Sequence, residues 1–190
     1  MNYPAIRKAT RIIGKNINFR NAELSDASFI LALRTDEKKS RNISAGAGSL
    51  EEQEDWLRKY AARENEAYFI IENKSGTRFG TIRIYAQKEQ TFCWGSWIVV
   101  DGAPQTVAIE SMLMVYSYAL DTLGFQSAYF QINRENQSVW KFKERFGAIR
   151  VTENEIEYHY IITHEAMRDS LKRYQKLLPE RLKVEFMQVQ

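Results

Sequence analysis

An α/β (α+β) fold is predicted by three features of one stretch, Thr91–Ala148: a strand with two unlike faces, a helix with one apolar stripe, and a repeat of that order. Over Thr91–Val100, Phe92, Trp94, Ser96, Ile98 and Val100 alternate with Cys93, Gly95, Trp97 and Val99, the period of a strand. After a tight loop at Asp101–Thr106, Ile109, Met112, Leu113, Tyr116, Leu120 and Leu123 recur at helical spacing over Val107–Leu123, and Gly124 supplies the stop. A strand over Gln126–Asn133 and a helix over Gln137–Phe146 repeat the order. That helix carries Val139, Phe142 and Phe146 and closes at Gly147.

The remaining elements follow from the N-terminus. Met1–Asn16 holds Arg7, Lys8, Arg11 and Lys15 with little periodicity and reads as a loosely ordered basic arm. Ile17–Arg20 is a short strand. Ser25 or Asp26 caps a helix with Phe29, Ile30 and Leu33 on one face. Ser49-Leu50-Glu51-Glu52 is a capping box opening a second helix that turns Trp56, Leu57, Tyr60 and Ala61 inward. Ala67–Glu72 and Phe79–Tyr85 are strands joined by a turn at Asn73–Gly76, with Arg83 and Tyr85 on one face. Glu155–Ile162 alternates as a strand. Thr163 caps a last helix with Met167, Leu171, Tyr174 and Leu178 in a stripe, ended by Pro179. Leu182, Val184 and Phe186 alternate with charges and make a candidate final strand.

At 190 residues the chain is expected to form one domain over 1–190, with the arm at 1–16 and the helix and tail at 164–190. The balance of 27 basic against 24 acidic residues argues against nucleic acid, which calls for a dense basic stripe. Neither a bilayer-spanning apolar run nor a signal-peptide pattern is present, so no membrane partner is expected. The lone Cys93 cannot form an internal disulfide, and a cytoplasmic location is the expectation. Two histidines and one cysteine are too few and too badly spaced for a metal site.

A strand, loop and helix in this order aim the first helical N–H groups, and the positive dipole end, out of the sheet edge, where they suit a pyrophosphate. At the second junction, Ile132–Ser138, Asn136 can cap the helix and Ser138 falls in its first turn. The residues Cys93–Val100, Ala108–Ser111, Asn136-x-Ser138 and Glu144-Arg145-Phe146-Gly147-Ala148 resemble the GNAT acetyltransferases, which carry acetyl from acetyl-coenzyme A to an amine. The Asn–Ser–Glu–Arg–Gly spacing is most similar to the branch with ribosomal-protein N-terminal acetyltransferases. Gly95–Ile98 and Phe146–Ala148 also resemble members associated with bacterial polysaccharide synthesis. The resemblance covers the chain up to Thr163, its specific motifs the central third.

The resemblance implies a GNAT fold: a mixed, mostly antiparallel sheet flanked by helices, here with an extra C-terminal helix that could pack on the sheet or exchange across a homodimer. It implies acetyl-coenzyme A as cofactor, held by the backbone of Ile98, Val99 and Val100, by the loop and helix start at Gly102, Gln105, Thr106 and Val107, and by Asn136, Ser138 and Phe142. A backbone N–H near Val99 would face the thioester oxygen. In the pyrophosphate loop the chain has Pro104-Gln105-Thr106 where the family pattern has glycines. At the position of the tyrosine that many members use towards the leaving thiolate stands Lys143; Ser138, matching the serine of the ribosomal-protein branch, is the expected proton donor. The base is left open between Glu110, His159 (with Glu157 on the same strand face) and an ordered water. Acceptor contacts are expected from Arg41, Asn42, Arg83 and Tyr85. The reading is an N-acetyltransferase for the primary amine of a small molecule, a nucleotide-linked amino sugar first and a protein N-terminal amine second. The alternative from another class is a GNAT-like binding module without catalysis, to which Pro104 and Lys143 point.

Overall fold

The computed structural model describes residues 3–36 and 48–187. Among these, nine strands form one mixed sheet: β1 (Ala9–Ile13), β2 (Ile17–Asn21), β3 (Ala67–Asn73), β4 (Arg78–Lys88), β5 (Thr91–Val99), β6 (Ser127–Asn133), β7 (Ile149–Glu153), β8 (Glu157–Thr163) and β9 (Lys183–Phe186). Their order is β7-β8-β6-β5-β4-β3-β2-β1-β9, and the single parallel pairing in it is β5 with β6. The helices are α1 (Ala27–Thr35), α2 (Leu50–Ala61), α3 (Gln105–Ser117), α4 (Gln137–Arg145) and α5 (His164–Arg173). The expected mixed, mostly antiparallel sheet flanked by helices is therefore the observed one.

Its core is aromatic at the centre. Trp94 of β5 meets the rings of Tyr116, Trp97 and Phe130, and Phe130 stacks on Tyr160. A second, smaller cluster lies under α1 and α2, where Tyr60 and Tyr68 pack edge to face beside Trp56. Ser49 and Glu52 make the expected capping box on α2, but Ala61 is exposed rather than turned inward. Asp26 stands at the start of α1 without capping it. Its carboxylate accepts two hydrogen bonds from Arg20 and one from the backbone of Glu23.

Three segments depart from the sequence reading. Within the basic stretch 1–16, the described residues 3–16 are not a loose arm: β1 pairs with β2 on one side and β9 on the other, with Ala9 and Ile12 fully buried. The alternation was obscured by the irregularity between Ala9 and Arg11, and Arg11 is held by an ion pair with Glu72. β7 has no predicted counterpart, because as an exposed strand with Ile149 and Val151 56% and 54% accessible it carries no buried face to create a period. α3 begins two residues earlier than expected, at Gln105, and gives way to a wider π-helical turn over Tyr118–Leu123 before the left-handed Gly124.

The C-terminal helix packs within the same chain. Ser170 donates to the carbonyl of Phe146, Tyr174 packs on the Phe146 ring, and β9 completes the sheet beside β1. Gly147 makes that approach possible: at φ +89° a Cβ there would sit 2.9 Å from the Cβ of Ala166. Gly124, at φ +86°, has nothing within 4 Å of the same position. Gly124→Ala should therefore cost only the left-handed strain, about 1–2 kcal/mol. Gly147→Ala should cost roughly 1–2 kcal/mol more than that, from displacing α5. Urea unfolding of the two variants side by side reads the difference, and equal midpoints would show that α5 does not press on α4.

Candidate active site

β5 and β6 pair only over Thr91–Cys93 and Ser127–Tyr129, then diverge. Beyond that point a cleft of about 390 Å³ opens between them, walled by Trp94 to Ile98 on one side and Phe130 to Asn133 on the other. Tyr85, Asn136, Val139, Lys143, Ile156 and Glu157 complete its lining. Its β5 wall is bulged. Thr81 pairs with Ile98 and Arg83 with Gly95, so Ser96 and Trp97 together stand opposite Ile82. Ser96 takes φ +46° at the bulge, and its carbonyl accepts a hydrogen bond from the Thr81 hydroxyl at 2.8 Å.

This ladder decides which backbone groups are free. The Val100 N–H donates to Phe79 O at 2.8 Å, so its donor is already used inside the sheet. Antiparallel alternation turns Ile98 towards β4 with it and leaves the amide of Val99 facing the side from which β6 has withdrawn. Of the three expected backbone positions, Val99 alone presents its N–H and C=O to an incoming arm.

The loop after β5 leads into an exposed helix start. Gly102 is left-handed at φ +79° with open space around it, and Pro104 occupies the N-cap. Because proline stands at the cap rather than inside the first turn, its missing N–H is not one of the donors a helix end offers. Val107 is buried and its N–H returns to Pro104 O at 2.9 Å. Gln105 and Thr106 are exposed in an uncapped first turn, which leaves their N–H groups for an anion.

On the α4 side, Asn136 lines the cleft at the N-cap. Ser138 is exposed and donates to Asn136 Oδ1 at 3.3 Å, outside the lining. Phe142 packs between Trp97 and Phe146 in the core rather than on the cleft. Lys143, by contrast, is only 4% accessible and does line the cleft, its ammonium nitrogen 3.7 Å from the ring centroids of both Trp94 and Phe130. Burial pushes its pKa down from the ordinary 10.5 to about 7. A sequence signal for this existed: Lys143 falls four residues after Val139 and three before Phe146, on the apolar stripe of its own helix. Trp94 adds an indole N–H with no hydrogen-bond partner among the described residues.

Glu110 is not at this site. Its fully buried carboxylate accepts from the backbone N–H groups of Lys15 and Asn16 at 2.8 Å, of Ile17 at 3.3 Å, and from the Asn16 side chain at 2.8 Å. Four donors fix it to the β1–β2 turn. His159 is half-buried beside Glu157, 3.2 Å from its carboxylate, and of the two only Glu157 lines the cleft. Arg83 is committed to an ion pair with Glu66 and lies over the Trp56 and Tyr85 rings. Tyr85 lines the cleft, its hydroxyl close over Gly95, where an added Cβ would come within 3.1 Å. Burial raises its pKa. Arg41 and Asn42 lie outside the described residues. Among the described residues no cluster of three or more metal-ligating side chains occurs, and no helix is long and apolar enough to cross a membrane.

Comparison with known proteins identifies the family and the fold. Residues 16–149 match the family model described as the acetyltransferase (GNAT) domain. Among solved structures, apo FdhC, described as a nucleotide-linked sugar GNAT, is 31% identical with a TM-score of 0.79, the match covering 94% of this chain and 100% of that one. A GCN5-related N-acetyltransferase from Brucella melitensis is 17% identical, with a TM-score of 0.76 and coverage of 94% and 90%. Spermidine N-acetyltransferase from Vibrio cholerae, solved in complex with CoA and spermine, is 15% identical, with a TM-score of 0.72 and coverage of 80% and 98%. At those identities the last two show likeness of fold alone. No curated protein sequence matches the chain.

Proposed function

Because the chain belongs to the GNAT acetyltransferase family, we propose that it transfers the acetyl group of acetyl-coenzyme A to the primary amine of a small molecule, a nucleotide-linked amino sugar in the first place. The observation that supports the reading is that the β5 wall of the cleft, Trp94 to Ile98, runs on in the chain through Val99 and the Gly102 loop into the exposed start of α3. That start offers the N–H groups of Gln105 and Thr106 for a pyrophosphate, and the backbone of Val99, on the side from which β6 has withdrawn, is available to an extended arm. The amino-sugar preference rests on the likeness to FdhC along nearly the whole of both chains. The buried lone cysteine fits a reducing compartment, the cytoplasm.

Within this reading the coenzyme supplies an activated acetyl thioester, and the protein supplies position and charge. Gln105 and Thr106 hold the pyrophosphate through backbone donors at the positive end of α3. Val99 pairs with the arm through its N–H and C=O, as one more strand would. Asn136 binds the amide of the arm across the cleft. Tyr85 borders the face on which the amine arrives.

Calorimetric titration with acetyl-coenzyme A and coenzyme A tests the first half. Micromolar binding is expected, and its absence up to millimolar concentration would leave the fold without the activity. Release of free thiol with a panel of nucleotide-linked amino sugars, polyamines and peptides tests the second, with the amino sugars expected to turn over fastest. Asn136→Ala should weaken coenzyme A binding about tenfold, the loss of roughly one hydrogen bond. Unchanged affinity would remove Asn136 from the site.

A further inference from the structure

Five charged side chains are buried among the described residues: Asp26, Glu66, Glu72, Glu110 and Lys143. The four carboxylates all have cationic or N–H partners: Arg20 and Arg78 on Asp26, Arg63 and Arg83 on Glu66, Arg11 and Arg20 on Glu72, and the β1–β2 turn on Glu110. Lys143 has no carboxylate within ion-pair distance among the described residues. An ammonium without a counter-charge is costly to bury, and the rings of Trp94 and Phe130 offset only part of that cost. Lys143 nevertheless lies at the inner end of the cleft, against the first residues of β5 and β6 after the two strands stop pairing.

The position has a chemical meaning once the arm is laid in. An arm that starts at the exposed end of α3 and follows β5 inward from Val99 runs out at Trp94, so its far end, the sulfur, arrives where Lys143 is. Resting on the acetyltransferase reading above, we infer that the Lys143 ammonium is the proton donor to the departing sulfur, held in line by Trp94 and Phe130. The acceptor nitrogen forms its bond to the acetyl carbon and the C–S bond breaks, with the electron pair remaining on sulfur. Lys143 gives one proton to that sulfur, the amine nitrogen loses one to solvent, and Lys143 regains its own from solvent, so the step is balanced without a further reactant.

The surroundings suit the role. The other titratable groups around Lys143 are Tyr85 from β4, Cys93 from β5, Glu157 from β8, and Tyr116 and Tyr160 behind the two rings. Burial raises the Tyr85, Cys93, Tyr116 and Tyr160 groups, so all four stay protonated near neutrality. Glu157 sits at the outer part of the cleft beside Ile156, paired to His159 when that ring is charged. Lys143, pushed down to about 7 by burial, is the one cation of the lining that gives up a proton readily there.

The test reads the pH profile of turnover as well as its size. Saturated turnover of the wild-type protein should fall as the pH rises above about 7, because Lys143 then has no proton to give the sulfur. Lys143→Met should bind coenzyme A within a few-fold of wild type, lose about 10²–10⁴-fold in turnover, and lack that falling limb. A falling limb that is absent from the wild-type protein, or that persists in Lys143→Met, overturns the inference and leaves the acetyltransferase reading intact. So does acetylation of Lys143 itself, seen by mass spectrometry after incubation with acetyl-coenzyme A. Absence of coenzyme A binding by the wild-type protein sinks both together.

Discussion

Lys143→Met should make the protein more stable, by roughly 2–4 kcal/mol at pH 7, and the gain should shrink as the pH rises. Folding takes this ammonium from water to a site 4% accessible with no carboxylate beside it, which lowers its pKa from 10.5 to about 7. The sign follows from proton counts. Between pH 7 and 10.5 the unfolded chain keeps a proton that the folded chain has released, so stability from this group rises with pH across that window. Below pH 7 the cost is present in full, about 5 kcal/mol for a shift of this size. Above 10.5 it is gone. The ring faces of Trp94 and Phe130 give some of it back, as cation–π contacts of about 2 kcal/mol when desolvated, and these are lost with the ammonium. Methionine keeps the length of the side chain and can lay its sulfur against the same rings, so little cavity is left. Urea unfolding of both proteins from pH 7 to 10.5 isolates the effect, because Cys93, Tyr85 and the other titrating groups are common to both. Parallel stability profiles would mean that Lys143 carries no such cost. A side chain that weakens the fold by this much while lining the cleft is what a trade of stability for chemistry looks like.

How much of this was legible in the sequence depended on whether the signal was local. β6 and α4 are legible because each turns one face to the core, and such a face writes a period of two or of 3.6 into the chain. The period read in β5 and α3 marks only part of a surface that is buried on more than one side, through Phe92–Trp94 and Glu110–Ser117. β1 was missed for the opposite reason: its irregularity at Ala9–Arg11 breaks the period, and Arg11 balances Glu72, some sixty positions away in sequence. β7, exposed along its length, wrote no period at all. The site divided in the same way. Asn136 and Val99, placed by junctions of predicted elements, fall on the cleft or face it, whereas Phe142 turned out to serve the core and Ser138 to face solvent. Arg83 could not be read correctly without Glu66, nor Glu110 without the β1–β2 turn, since the partners are remote or lie on elements whose register is set by tertiary packing. Lys143 was readable as part of an apolar stripe, but a charge on that stripe takes its meaning from the parting of β5 and β6, which no local pattern records.

Glu110→Ala should destabilise the protein by roughly 3–5 kcal/mol, with turnover per folded molecule unchanged. The carboxylate is the common acceptor for three backbone N–H groups and one side-chain amide. Removing it strands donors that water reaches poorly, at about 1–3 kcal/mol each and less than additively. The turn has no slack to adjust. Gly14 packs so closely that a Cβ there would meet Met114 Sδ at 2.5 Å and the Ile17 carbonyl at 2.7 Å. Loss of the anchor therefore loosens β1 from α3, and with β1 the strand β9 that pairs on its far side. Glu110→Gln keeps one acceptor for the backbone donors and can face Asn16 after that amide turns over, so about a third of the loss is expected. Thermal unfolding should register Glu110→Ala as a fall of roughly 10 °C for a chain of this size. A catalytic base would behave the other way round, with normal unfolding and lost turnover. That outcome would return Glu110 to the reaction and would require the β1–β2 turn to release it.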